Sequence, residues 1–102
     1  MPVIKVWCLP KCSERKLNQI FERIVSVTVG VRELGLKDKH SMTVLFPPDM
    51  MKFGLGTEII VEVTGLFIKP ERTEEVRNRL AERLGKTLKE LFPKAMVECL
   101  RH

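Results

Sequence analysis

What most constrains this chain is a pattern that occurs twice: a strand-like apolar run, an amphipathic helix, and a second strand-like run. Pro2 to Leu9 is rich in β-branched and aromatic residues, which suit a pleated, half-buried surface. Ser13 can cap the next segment as a helix with Glu14 in its first turn. There Leu17, Ile20, Phe21, Ile24, Thr28 and Val31 recur at helical spacing and give one apolar face. Gly35 is the expected stop, and Met42 to Phe46 the second strand, ended by Pro47 and Pro48, which donate no ladder hydrogen bonds. Glu58 to Phe67 opens the second half. Its helix starts at Pro70 or Thr73, with Glu71, Glu74 and Glu75 near the positive end and Val76, Leu80, Leu84, Leu88 and Leu91 as the buried stripe. Phe92-Pro93 closes that helix, and Ala95 to Leu100 is the fourth strand.

Strand–helix–strand implies a parallel pair joined by a right-handed crossover. The expected fold is therefore α+β: a two-layer sandwich from two βαβ units, a pseudo-repeat, with a four-stranded sheet and both helices on one face. The 102 residues suit a single core, so residues 1–102 form one domain with halves at about 1–50 and 57–102. The first strand is apolar on both sides, with Ile4, Val6 and Cys8 on one and Val3, Trp7 and Leu9 on the other. Such a strand is expected to be covered on both faces, and a second copy of the chain is the simplest cover for the helix-free side. Trp7 is expected in the core.

The net charge of +5 invites a nucleic-acid reading, but the distribution argues against it. Arg72, Arg77, Arg79, Arg83, Lys86 and Lys89 are interleaved with Glu71, Glu74, Glu75, Glu82 and Glu90, the pattern of a solvated helix face. A sheet that reads RNA needs exposed aromatics, and the chain has no Tyr. The basic balance favours small anionic ligands, carboxylates among them. No segment approaches the roughly 20 apolar residues of a membrane span, and no signal peptide is recognisable, so the expected location is the cytoplasm. Cys8, Cys12 and Cys99 lack metal-ligand spacing and read as reduced thiols. No metal site is expected.

Pro2 is the candidate chemical group. Removal of Met1 converts its nitrogen from an amide into a secondary amine, and a free α-amino group titrates at roughly pH 8. Burial in a pocket lowers that value further, toward the range in which a general base works best.

Pro2 opening a strand, Cys12-Ser13-Glu14 entering the first helix, and Phe53-Gly54-Leu55-Gly56-Thr57-Glu58 after the second strand resemble the tautomerase superfamily. That superfamily includes 4-oxalocrotonate tautomerase and macrophage migration inhibitory factor, and the doubled βαβ plan extends the resemblance over the whole chain. The resemblance implies a homotrimer whose three sheets face inward as a barrel, with Pro2 in a pocket at a subunit boundary. It implies keto–enol proton transfer on a small anionic 2-keto or enol acid, with Pro2 as general acid and base and no cofactor. Phe53 would form an apolar wall. The two arginines that oxalocrotonate-type enzymes use for substrate carboxylates fall at Cys12 and Met42 here, so Lys11, Arg15 and Lys52 are the expected substitutes. Two other functions fit the same sequence: a non-catalytic tautomerase-fold trimer acting in interaction or structure, and a ferredoxin-like ligand- or RNA-binding module.

Overall fold

A computed structural model describes residues 2–48, 58–65 and 73–101. Its elements run β1 (Val3–Trp7), α1 (Glu14–Gly30), β2 (Thr43–Leu45), β3 (Glu58–Thr64), α2 (Glu74–Leu91) and β4 (Met96–Arg101), with 3-10 turns at Arg32–Leu34 and Lys39–Ser41. The strands form one sheet in the order β2-β1-β3-β4. Each βαβ pair, β1 with β2 and β3 with β4, is parallel, and the two halves join through the antiparallel β1–β3 pair. Both central strands thus open a half, as the doubled plan requires.

The core is built from the two periodicities. Alternate residues of the central strands, Ile4 and Val6 of β1 and Ile59, Val61 and Val63 of β3, face the helices and are at most 1 % exposed. Against them lie Ile20 and Ile24 of α1 and Leu80, Leu84 and Leu88 of α2, buried to the same degree. Each such side chain contributes about 1.5–3 kcal/mol through the area it removes from water. Both helices start as the sequence predicts, on side-chain caps. Ser13 Oγ accepts the Lys16 N–H and Thr73 Oγ1 the Val76 N–H, both at 3.2 Å. Each helix also buries one threonine, whose hydroxyl donates back to the carbonyl four residues earlier: Thr28 to Ile24 and Thr87 to Arg83, each at 2.8 Å.

Three boundaries differ from the sequence reading by two residues or more. Helix α1 ends at Gly30, not Gly35, because Val31 turns to extended dihedrals. The apolar spacing then continues through the Arg32–Leu34 turn, burying Leu34, and Gly35 (φ 69°) ends that turn instead. Strand β1 stops at Trp7 because Cys8 takes a left-handed φ of 66°, unusual for a residue with a Cβ. Strand β3 stops at Thr64, followed by Gly65 at φ 78°; the remainder of its expected span, to Phe67, lies outside the described residues.

Trp7 is not in the core. It is half-buried on the helix-free face, where its indole N–H donates to Glu62 Oε1 at 3.3 Å. The pairing places Leu45, Lys5, Glu62 and Leu100 in one row across that face. Leu45, Leu100 and Met96 are the large apolar side chains left exposed among the described residues, at 45 %, 39 % and 73 %. All three belong to the outer strands β2 and β4.

Candidate active site

Pro2 is buried at the start of a central strand. Its carbonyl accepts the Thr43 N–H at 3.0 Å, which ties the chain's start to the first residue of β2. On the other side β3 ends alongside, with Val3 paired to Thr64. The environment of Pro2 is thus the end of the sheet where β1 and β2 begin and β3 finishes, with buried Met42 one residue before Thr43.

Lys11 and Arg15 are exposed and lie toward the opposite end of β1. Glu14 and Leu17 line a shallow depression with Phe46, which follows the C-terminal end of β2; since β2 runs parallel to β1, the start of α1 is at that end. Five strand residues separate the two ends, roughly 17 Å at about 3.3 Å per residue. Arg15 lines a polar surface depression with Glu14, Asn18, Gln19 and Glu22, and Pro2 is not part of it. Within one chain, then, the fold does not bring Arg15 to Pro2. Lys52 and Phe53, the other two residues expected at the site, lie outside the described residues.

Cys12 and Met42, where the sequence resemblance places the arginines of oxalocrotonate-type enzymes, offer no charge. Met42 is 5 % exposed and packs in the core cluster. The Cys12 thiol donates to the Pro10 carbonyl at 3.0 Å, and burial raises its pKa, partly offset by the charge of Lys16. Among the described residues, no three His, Cys, Asp or Glu side chains gather as metal ligands would, and no helix is long and apolar enough to cross a membrane.

One contact that the sequence does not reveal is the Thr43–Pro2 hydrogen bond. Strand pairing across a crossover depends on register, and neither residue carries a signal for it.

No protein-family model matches the sequence, and no curated protein does. Solved structures do. Pt0534, in a structure inactivated by 2-oxo-3-pentynoate, superposes with a TM-score of 0.67 at 24 % identity, over 98 % of this chain and 85 % of that one. A fused 4-OT solved as an asymmetric trimer gives 0.71 at 14 % identity, over 98 % and 85 %. Malonate semialdehyde decarboxylase gives 0.59 at 13 % identity, over 98 % and 84 %. All three are members of the tautomerase superfamily. The chain has the tautomerase fold. At these identities it is the path of the backbone that is shared, and it is shared over nearly the whole chain.

Proposed function

We propose that this protein is a cofactor-independent tautomerase-type enzyme in which the Pro2 amine, freed by loss of Met1, is the general acid and base. The observation that carries the proposal is the burial of Pro2 at the start of a central strand within the tautomerase fold. A buried amine is desolvated, which disfavours its charged form and leaves a larger neutral fraction near pH 7 to accept a proton. The amine takes a proton from the enol oxygen or the α-carbon of a small 2-keto or enol acid and returns one at the other atom. The substrate is isomerised and the amine is restored. The neighbours fit this chemistry: Pt0534 is inactivated by a 2-oxo acid, and malonate semialdehyde decarboxylase has been solved in wild-type, proline-to-alanine and inactivated forms.

The working form is a homotrimer. The apolar side chains exposed on the helix-free strands, Leu45, Met96 and Leu100, supply a surface for it. Because Lys11 and Arg15 lie toward the far end of β1 from Pro2, a second copy would have to bring them to the amine. Lys52 and Phe53 complete the proposed pocket, Phe53 as its water-excluding wall. The same substitutions at Cys12 and Met42 support a second reading, a trimer without this catalysis, because buried Met42 puts no cation next to Thr43 and Pro2.

The test is the ultraviolet decay of phenylenolpyruvate, using protein shown by mass to lack Met1, alongside Pro2→Ala. We expect the substitution to slow the decay by about 10²–10⁴-fold. Equal decay in both proteins, or none, would overturn the assignment. Incubation with 2-oxo-3-pentynoate provides a second readout. Conjugate addition forms a bond from the Pro2 nitrogen to the alkyne carbon remote from the ketone, breaks one π bond, and delivers the amine proton to the adjacent carbon. The protein gains the mass of one reagent, on the N-terminal peptide.

A further inference from the structure

The helix-free face of the sheet is divided in two by charge. Ile4, Val6, Ile59, Val61 and Val63 face the helices, so the residues between them face away. Register then puts four charged residues on the helix-free face: Lys5 on β1, Glu58 and Glu62 on β3, and Glu98 on β4. The β1–β2 side carries one cation and no carboxylate, and the β3–β4 side three carboxylates and no cation. Glu62 accepts the Trp7 indole N–H, whereas Lys5 and Glu98 make no ion pair among the described residues.

The two sides also differ in relief. On the edge strand β2, Leu45 stands 45 % exposed and in register with Lys5, so an apolar knob and an ammonium group lie side by side. Over β3 there is a hollow instead, of about 330 Å³, lined by Trp7, Cys8, Ile60, Glu62 and Leu100. Glu98 is exposed and is the partner of Ile60, which puts it on the outer side of that hollow. Knob and cation on one side thus answer hollow and carboxylate on the other.

We propose that these two sides are the two halves of one joint between copies of this chain. Leu45 of one copy enters the hollow over β3 of the next, and Lys5 beside it meets Glu98. The inference rests on the trimer of the proposed function and adds which surfaces meet in it. A closed ring of three joins unlike surfaces at every boundary, and here charge and relief identify the pair. Joining the acidic sides to each other would set Glu58 and Glu98 against the same carboxylates of the next copy, which repel. The joint also withdraws Leu45 and Leu100 from water, two of the large apolar side chains that a single copy exposes.

The test is sedimentation of the full chain over a range of concentrations, with fluorescence as a local reading, since Trp7 is its one tryptophan. Leu45→Ser and Glu98→Lys, both at exposed positions and so compatible with folding, should each raise the trimer dissociation constant at least tenfold. Trp7 emission should move to the red as either variant dissociates. Glu82→Lys, the same charge reversal at an exposed position of α2, should leave the constant unchanged. A carbodiimide, which joins an amine to a carboxylate in contact with it, should give a Lys5–Glu98 linked peptide in the covalent dimer and not in the covalent monomer. A trimer that tolerates Leu45→Ser or Glu98→Lys, that responds equally to Glu82→Lys, or that yields no such link would overturn the joint and leave the trimer standing. A chain that sediments as a monomer at every concentration would overturn both.

Discussion

The two halves of the molecule follow one plan but return to the sheet differently. Helices α1 and α2 are anchored alike, with fully buried aliphatic residues at helical spacing, a hydroxyl cap at the start and one internally bonded threonine. After α2 the chain reaches β4 through a short connection and pairs along six residues of β3. After α1 it passes through two 3-10 turns and pairs along only three residues of β1. The difference teaches where constraint ends. The shared core fixes the helices and central strands, while the loosely knit return of the first half is where Thr43 meets Pro2.

The largest effect that can test the likeness of the cores is truncation at matching depth. Ile24→Ala and Leu84→Ala should each cost about 2–5 kcal/mol, measured by urea unfolding. Costs differing by more than about 2 kcal/mol would show that one half dominates the core. The contrast at the outer strands should appear in hydrogen exchange, where amides of β2 should open at least tenfold more readily than those of β4, a gap of about 1.4 kcal/mol. Equal protection would remove the asymmetry. The caps come next: Ser13→Ala and Thr73→Ala should each lose about 1 kcal/mol. Thr28→Val and Thr87→Val should cost under about 1 kcal/mol, because valine keeps the branched shape and the carbonyls at Ile24 and Arg83 keep their helical partners.

The smallest expected effect is at the Glu33–Arg79 ion pair, which joins the turn after α1 to α2 at 2.6 Å. The pKa of Glu33 lies below the ordinary carboxylate value, first through a backbone hydrogen bond within Glu33 itself and then through Arg79. A depressed carboxylate adds stability above its unfolded pKa and loses it as pH falls through the folded one. Stability should therefore drop slightly on acidification below the ordinary glutamate range, and Arg79→Met should blunt that drop. Both side chains are more than a third exposed, at 37 % and 38 %, and solvent screening keeps the effect near the limit of detection.

Much of the fold could be read from residue pattern alone. Alternation in β1 and β3 and the four-residue spacing in α2 are direct images of the buried face, and Ser13 and Thr73 mark real helix starts. The end of α1 could not be read, because a 3-10 turn that buries Leu34 continues almost the same apolar spacing. Trp7 misled for another reason: aromatic residues are usually buried, but its polar nitrogen is satisfied by Glu62, 55 residues away. The site was less legible. Pro2 could be singled out by its own chemistry, whereas its pairing with Thr43 and its separation from Arg15 follow from strand register and crossover, which single residues do not encode.

The central position of β1 has a consequence for the timing of synthesis. A strand that begins the chain yet sits between β2 and β3 gains its second neighbour only when residues 58–64 have been made. At about 5–20 residues per second that takes on the order of several seconds after the N-terminus emerges. Throughout that interval β1 is an edge strand of an unfinished sheet, with one row of backbone donors and acceptors unpaired. Once β3 docks, both edges of β1 are paired. The order in which the strands are made thus sets how long the nascent chain presents an open strand edge at what will be the centre of its sheet.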